Sequence, residues 1–592
     1  MTRPPTTAGP PSADPPAAGP PGAAGPPGAA GLPGAAGPSP QPSAVAGVLT
    51  AAVAMGVGQL VAGLTVAQAS PVLAVGQAAI DLTPLPVKNF AISTFGTNDK
   101  TALVVGILVV LAGFAAVIGI LAVRRIALGL AGLGVFASIG LAAALTRPTA
   151  TATYAIPTLI GAGAGAFALT RLIRAARRLP SRPGRTAVTR PGGTEVTRPG
   201  GTAVTRPPAG GLAPPDLPVS TFTLLPNPED RGAPPGPARR RFLTASGLAV
   251  VTAAAGTLVG RELITRHNVS TARATLRFPR PAIAAPPLPP GVNLNIPGLS
   301  PFITPNGSFY RVDTVLLLPE VDPSNWQLRI HGMVQREVTL TFDQLLRRPL
   351  IEDYITLTCV SDPVGGPYVG NAKWLGASLA ALIRQARPLA GADQLLCTSV
   401  DGFTSGTPLQ VVLDGRDALL TVAMNGQALP IEHGFPARMV VPGLYGYVSA
   451  CKWVTDIEVT TFGSAHAYWT NRGWSQQAPI KTESRIDVPL TNSTLARGRI
   501  PVAGVAWAQH KGVAAVEVRV DNGPWQQAQL AAVPDIDTWR QWVWDWDATP
   551  GTHLIEARAT DATGYTQTAA QAQPPPNGAS GYPSASVTVR ST

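Results

Sequence analysis

The stretch YITLTCVSDPVGGPYVGNAKWLGASL runs from Tyr354 to Leu379. It opens as a β-branched and aromatic run, reaches Cys359, and breaks into a loop holding Gly365, Gly366 and Gly370. Such a run reads as a strand that ends at the cysteine. A strand-end cysteine has three readings. It is a packing residue, since free cysteine is among the most buried types; or half of a disulfide in an oxidising compartment; or a thiolate ligand for a soft or high-valent metal. The glycines favour the metal ligand, because they let backbone approach a bulky group closely.

Working outward, the 592-residue chain is too long for one domain. Hydrophobic residues make up 45% of it and charged residues 13%, a membrane-like balance for part of the length. The 62 glycines and 62 prolines point to long unstructured segments as well. Three cysteines, Cys359, Cys397 and Cys451, cannot all pair with one another. No CxxC or Cys/His cluster indicates zinc. The net charge of +12 is concentrated between Arg171 and Arg241, beside apolar spans, which argues against a nucleic-acid partner.

Residues 1–43 repeat Pro, Gly and Ala and read as a disordered tail. Residues 44–170 hold four apolar spans, Ala44–Ala67, Thr101–Val123, Ile126–Thr146 and Thr151–Thr170. Each is near the ~20 residues a helix needs to cross a bilayer. Arg124, Arg125, Arg171, Arg174, Arg177 and Arg178 flank them and place those ends, with the N-terminus, in the cytoplasm. None of the six histidines lies in these spans, so a haem held by two histidines is not expected there. An anchor or assembly platform in membrane lipid is the expectation for the spans.

Residues 171–238 include TAVTRPGGTEVTRPGGTAVTRP and read as a disordered cytoplasmic linker. At Arg239 begins RRRFLTASGLAVVTAAAG, a pair of arginines followed by Phe242-Leu243 and an apolar run. This matches a twin-arginine export signal and forms, over 239–262, a fifth span. Four prior spans return the chain to the cytoplasm, where such a signal must lie. The remainder is therefore expected outside the cell membrane, after a Pro-rich tether over 263–300.

From Pro301, short strand-like runs (DTVLLL, WQLRIHG, REVTLT, YITLTCV, RMVVPG) alternate with the helical TFDQLLRR and GASLAALIRQA, which reads as an α+β domain over 301–462. Here LTCVSDPVGGPYVGNAKWLG followed by HGFPARMVVPGLYGYVSACKW resembles the molybdopterin domain of the sulfite oxidase family, in a membrane-anchored bacterial form. That family includes sulfite oxidases, plant-type nitrate reductases and the catalytic subunit of protein-methionine-sulfoxide reductase. The resemblance implies a Mo-molybdopterin cofactor with Cys359 as the metal ligand. It implies that His433, Arg438, Ser449 and Lys452 bind the pterin and its phosphate, and that Arg311 lies near the metal. Arg, Lys and His are natural partners for a dianionic phosphate. The family's sulfite-oxidising members carry arginines just after the metal cysteine. This chain has Val360-Ser361-Asp362-Pro363 there, and Asn471 stands where their tyrosine precedes a basic-Gly-aromatic turn. A small dianion is therefore a poor fit, and a neutral or larger substrate, contacted through Tyr368 or Trp474, is expected.

Residues 463–592 alternate apolar and polar positions, with Asp521-Asn522-Gly523 as a hairpin turn and Trp542, Trp544 and Trp546 on one face. This resembles the immunoglobulin-like sandwich that follows the molybdenum domain in the same family and implies a possible homodimer. The expected function is extracytoplasmic oxygen-atom transfer to or from a small sulfur- or nitrogen-containing molecule. Electrons would pass to a separate protein or a membrane redox partner. The rival is a non-catalytic exported scaffold that keeps the fold.

Overall fold

The computed structural model describes residues 40–66, 69–84, 87, 90, 99–147, 150–179, 236–266 and 269–591. The expected tail and most of the 171–238 linker lie outside them.

Among the described residues, six helices of twelve or more residues precede the β-rich region: α1 (Pro40–Leu64), α2 (Pro71–Leu82), α3 (Asp99–Arg124), α4 (Ile126–Leu145), α5 (Ala155–Ala176) and α6 (Pro237–Arg266). All but α2 are long and apolar enough to cross a membrane. Val109, Phe114, Val135, Phe167 and Leu248 stand exposed on their outer faces, the pattern of a helix that is apolar all round. The helices meet through small residues. A β-carbon on Gly47 would fall 1.9 Å from the Ala115 carbonyl oxygen, and one on Gly119 would fall 2.1 Å from that of Ser43, so α1 and α3 run antiparallel in backbone contact. Gly56 abuts Ala253 and Gly63 abuts Gly260, which sets α6 parallel to α1. One end of the bundle therefore gathers Arg124, Arg125, Arg177 and Arg239–Arg241. The β-rich region contacts the other end.

That region begins with two sheets. The first has the order β2-β1-β10-β5-β6, built from β1 (Gln327–Gly332), β2 (Val338–Thr341), β5 (Gln394–Ser399), β6 (Thr404–Pro408) and β10 (Val454–Thr460). Only the β1–β10 pairing is parallel. The second has the order β3-β4-β7-β8, from β3 (Leu350–Thr358), β4 (Val369–Ser378), β7 (Leu419–Met424) and β8 (Gln427–Ala428), with β9 (Arg438–Val440) on β7. Helix α7 (Leu379–Ala386) follows β4 and buries Leu379, Leu382 and Ile383; the Ser378 hydroxyl accepts from the Ala381 N–H at its start. A four-residue turn, α8 (Gly446–Ser449), packs against β6 and β9.

The C-terminal part contributes β11 (Glu483–Val488), β12 (Thr494–Leu495), β13 (Gly498–Trp507), β14 (Val513–Val520), β15 (Gln526–Gln527), β16 (Gln529–Leu530), β17 (Arg540–Ala548), β18 (Gly551–Asp561) and β19 (Ser584–Val589). They form two sheets, β11-β13-β17-β16 and β12-β19-β18-β14-β15. Val502, Val516, Val518, Trp542, Trp546, Ile555 and Val587 share one core. The tryptophan stripe is thus core rather than a binding surface. Asp521 and Asn522 both have positive φ, 51° and 58°, the geometry of the tight hairpin expected from their sequence.

Two expectations are corrected. DTVLLL forms no strand, because Lys100 of α3 donates to the Val315 carbonyl (2.8 Å) and Leu316 packs on Gly76 of α2. Its apolar side chains meet the helix bundle instead of a sheet. The 263–300 stretch is no free tether. Ile283 bridges to Ile351, Val292 joins the main core beside Phe302, and the Ser300 N–H donates to Asp487 (2.9 Å). Its scattered apolar residues were hidden among prolines.

Candidate active site

Strand β3 ends at Thr358 and hands the chain to Cys359, and residues from loops of the C-terminal part fix this strand end. Gln509 Nε2 donates to the Thr356 carbonyl and to Thr358 Oγ1, both at 3.1 Å. The Trp539 N–H donates to Thr356 Oγ1 at 2.7 Å. The loop then closes on itself: the Cys359 N–H donates to the Tyr368 carbonyl (2.9 Å) and the Asp362 N–H to the Cys359 carbonyl (3.1 Å). Cys359 is half-buried, a free thiol with Sγ 3.0 Å from Ser361 Oγ. Burial pushes its thiol up. Cys397 and Cys451 are also free and fully buried, behaving as packing residues.

The glycines of this loop serve the protein's own groups. A β-carbon at Gly366 would lie 2.2 Å from Asp362 Oδ1, and one at Gly370 would lie 2.9 Å from the Phe309 ring. Asp362 does not face outward. It is 4% exposed, and its Oδ1 accepts the Tyr368 N–H at 2.9 Å. Burial pushes its carboxyl up to about 7. Glu483, on β11, is pushed up to about 8 by burial and then by Asp362. Each has one buried carboxyl oxygen with no partner among the described residues. The Arg485 guanidinium donates to the Gly366 carbonyl (3.2 Å) and is paired with Asp487 at 2.6 Å.

A second group of side chains comes from β9, α8 and the turns around them. Gly434 holds φ at 109°, and a β-carbon there would crowd Arg438 at 3.0 Å and Lys452 at 3.1 Å, so the turn can bring them together only with glycine. Arg438 is buried, lies 5.2 Å from the Trp374 ring, and donates to the carbonyls of His433 (3.1 Å) and Ala450 (3.3 Å). Among the described residues no carboxylate pairs with it. Burial pushes its guanidinium down to about 10. Lys452 Nζ lies 3.1 Å from Asp313 Oδ2, and burial pushes it down to about 8. His433 is buried and pushed down to about 3 by burial, then by Arg438 and Lys452, so the ring is neutral near pH 7. Arg311 is partly exposed and bonds Asp313 at 2.6 Å. Asp313 also takes Lys100 of α3 at 2.6 Å. Burial raises the Asp313 carboxyl, but Lys452, Arg311 and Lys100 outweigh it and hold it well below the usual range.

The structure therefore gathers His433, Arg438, Lys452 and Arg311, and Tyr310 feels both this group and Cys359. Ser449 is buried with its hydroxyl donating to the Leu444 and Tyr445 carbonyls, at 2.9 and 3.1 Å. Arg311 points into the Asp313 cluster. Its neighbour Tyr310 is the residue between the two groups: its hydroxyl is pushed well up by burial and by Cys359, while Arg438 opposes the shift. Sequence reasoning missed Tyr310, although it directly precedes Arg311, and missed Asp313, Glu483 and Gln509, which carry no local signal.

The site fits a molybdopterin on its own chemistry. A buried guanidinium with no carboxylate, beside Lys452 and Arg311 sharing one aspartate, is a receptor for an anion such as a phosphate. A single accessible cysteine suits a metal whose other ligands come from the cofactor. Among the described residues no three His, Cys, Asp or Glu side chains converge on a metal.

Comparison with known proteins defines the class. Residues 315–469 match the family model for the oxidoreductase molybdopterin binding domain. The chain is 28% identical over 286 residues to mitochondrial sulfite oxidase of Mus musculus, covering 41% of this chain and 52% of that protein. It is 29% identical over 313 residues to sulfite oxidase of Gallus gallus, covering 44% and 67%. It is 30% identical over 153 residues to the uncharacterized oxidoreductase YuiH of Bacillus subtilis, covering 26% and 74%. Among solved structures, the sulfane dehydrogenase SoxCD of Paracoccus pantotrophus aligns with TM-score 0.40 and 23% identity, over 45% of this chain and 74% of that one. The chain spans about half the length of the mouse relative. It belongs to the sulfite oxidase family of molybdopterin-dependent oxidoreductases, and its cofactor is Mo-molybdopterin.

Proposed function

We propose that this chain is a membrane-anchored, extracytoplasmic oxidoreductase that moves an oxygen atom to or from a neutral or bulky sulfur- or nitrogen-containing substrate. The observation that carries the reading is the buried Arg438 guanidinium, unpaired by any carboxylate among the described residues and flanked by Lys452 and Arg311. Arg438, Lys452, Arg311 and His433 would hold the pterin phosphate, and Cys359 would bind the metal. The cofactor, when bound, supplies two-electron oxygen-atom transfer.

The chain's own residues prepare the site. Burial keeps the Cys359 thiol protonated, so ligation releases a proton. Tyr310 keeps its proton beside Cys359 and can donate a hydrogen bond to a substrate oxygen. Asp362 is turned into its own loop, the loop from Val360 to Tyr368 carries no arginine or lysine, and Arg485, which reaches it, is paired with Asp487, so the loop is poorly equipped to clamp a small dianion. In the sulfite-type pocket each lost charge-assisted hydrogen bond removes about 1.5–3 kcal/mol.

The arginines gathered at one end of the bundle favour that end as cytoplasmic. The oxidoreductase region then lies on the outer side, and Arg239-Arg240 act as a twin-arginine signal at the start of α6. The two C-terminal sheets are read as an immunoglobulin-like sandwich that braces β3. Steady-state assays in both directions, on one metal-loaded preparation with an artificial electron donor or acceptor, test the substrate class. Faster turnover on a sulfoxide or N-oxide than on sulfite is expected. A micromolar Michaelis constant for sulfite contradicts the reading.

A further inference from the structure

A cavity of about 470 Å³ lies where the helix bundle meets the oxidoreductase region. Its walls include Gln77 and Leu82 of α2, Ala143 at the end of α4, Arg147 beyond it, and Phe403 and Tyr468 from the β-rich part. The size is that of a small-molecule site. Leu82 stands 84% exposed at the helix end, so the cavity sits beside the bilayer surface that the helices define. The lining is amphipathic. The Arg147 guanidinium has no hydrogen bond or ion pair among the described residues, and Gln77 is fixed by its Nε2 bond to the Thr314 carbonyl at 3.0 Å. Tyr468 is held against the wall by its hydroxyl bond to Asp81 of α2 (2.9 Å) and by Arg472, 3.6 Å above its ring.

Behind Tyr468 runs a chain of aromatic rings. Tyr468 meets Trp469 at 5.2 Å between centroids, Trp469 meets Trp474 at 6.1 Å, and Trp474 meets Tyr447 at 6.0 Å. Tyr447 lies on α8 next to Gly446. A β-carbon on Gly446 would lie 3.7 Å from the Thr358 carbonyl and 3.8 Å from the Tyr310 hydroxyl, the two residues that bracket Cys359. Packed rings thus run from the cavity to Tyr447, and the neighbouring Gly446 backbone makes the last step toward Thr358 and Tyr310. The five membrane-length helices hold no histidine among the described residues to carry a haem, so electrons need another entry.

We propose that this cavity binds the headgroup of a lipid-soluble quinol, and that Tyr468, Trp469, Trp474 and Tyr447 form the electron path from it to the site around Cys359. Arg147 donates hydrogen bonds to a quinone carbonyl, Phe403 and Tyr468 flank the ring, and the tail leaves past Leu82 into lipid. This rests on the oxygen-transfer reading above. In the reducing direction the quinol gives up two electrons and two protons, the sulfur–oxygen bond of a sulfoxide breaks, and that oxygen takes both protons. The sum is quinol plus sulfoxide to quinone, sulfide and water.

The test uses the full chain in lipid nanodiscs. Quenching of tryptophan fluorescence by a short-tailed benzoquinone reads binding without turnover. Saturable quenching is expected in the wild type. Arg147→Met should weaken it about tenfold, the loss of one charge-assisted hydrogen bond. Ala143→Trp, which fills the cavity, should abolish it. Trp469→Leu should bind the quinone normally but lose quinol-driven sulfoxide reduction, while reduction driven by a soluble dye is unchanged. No saturable quenching in the wild type, or equal quenching in Arg147→Met and Ala143→Trp, overturns the proposal. Quinol-driven turnover unaffected in Trp469→Leu removes the aromatic path, as does a requirement for a soluble electron-transfer protein. Absent dye-driven turnover in a molybdenum-loaded wild type would instead overturn the oxygen-transfer reading, leaving the binding measurement to decide the cavity.

Discussion

Cys359 and Arg438 divide the candidate site between them, one offering a soft ligand and the other a buried positive charge. Cys359→Ser exchanges a thiolate for a poor ligand. Turnover should vanish while the pterin stays bound through its phosphate; full turnover in that variant would remove Cys359 from the mechanism. Glu483 gives a pH signature. Burial pushes its carboxyl from the usual 4.5 up to about 8. Between those values the folded chain keeps a proton that the unfolded chain has released, so this contribution to stability is present below pH about 4.5 and is lost as pH rises through about 8. Glu483→Gln should therefore match the wild type in acid and unfold at a higher temperature than it near pH 8.5, as thermal melts at the two pH values would reveal. A gap of the same size in acid would exclude the titration. Cys359, His433, Arg438 and Lys452 were singled out by the family resemblance that their motifs carry. Tyr310, Asp313 and Glu483 were not, because what matters in them is which distant side chain they meet.

Strands announced themselves where apolar residues alternate or cluster between turns. β1, β2 and β9 fall within the runs that suggested them, β3 overlaps YITLTCV but begins four residues before it, and α7 falls within GASLAALIRQA. DTVLLL failed for a physical reason. An apolar run signals burial, and the sequence does not say whether a sheet or a helix bundle does the burying. Here Lys100, at the start of α3, reaches across to Asp313 and the Val315 carbonyl. Lys100→Ala should loosen this junction by about 1 kcal/mol, as expected for a partly exposed ion pair. Hydrogen exchange should then quicken over 313–319 and leave β3 and β4 unchanged. Uniform quickening across both sheets would mean that Lys100 supports the whole fold and not the junction.

At the scale of the whole molecule, the parallel pairing of α1 with α6 and the antiparallel pairing of α1 with α3 put the arginine-rich helix ends opposite the oxidoreductase region. Changing both Arg239 and Arg240 to Lys keeps the charge but would remove the proposed twin-arginine signal. Protease accessibility of the C-terminal part on intact cells should be lost; normal accessibility would show the arginines to be only a topological flank. The central claim joins both ends of the account: a folded, exported domain holds Mo-molybdopterin through the buried cations around Arg438. Its most direct test is the pterin content of purified full-length Arg438→Met beside the wild type, with thermal melts confirming that both are folded. Loss of one to two charge-assisted hydrogen bonds should lower pterin affinity by at least about tenfold and leave the purified variant depleted. A folded Arg438→Met chain that carries as much pterin as the wild type would contradict the account.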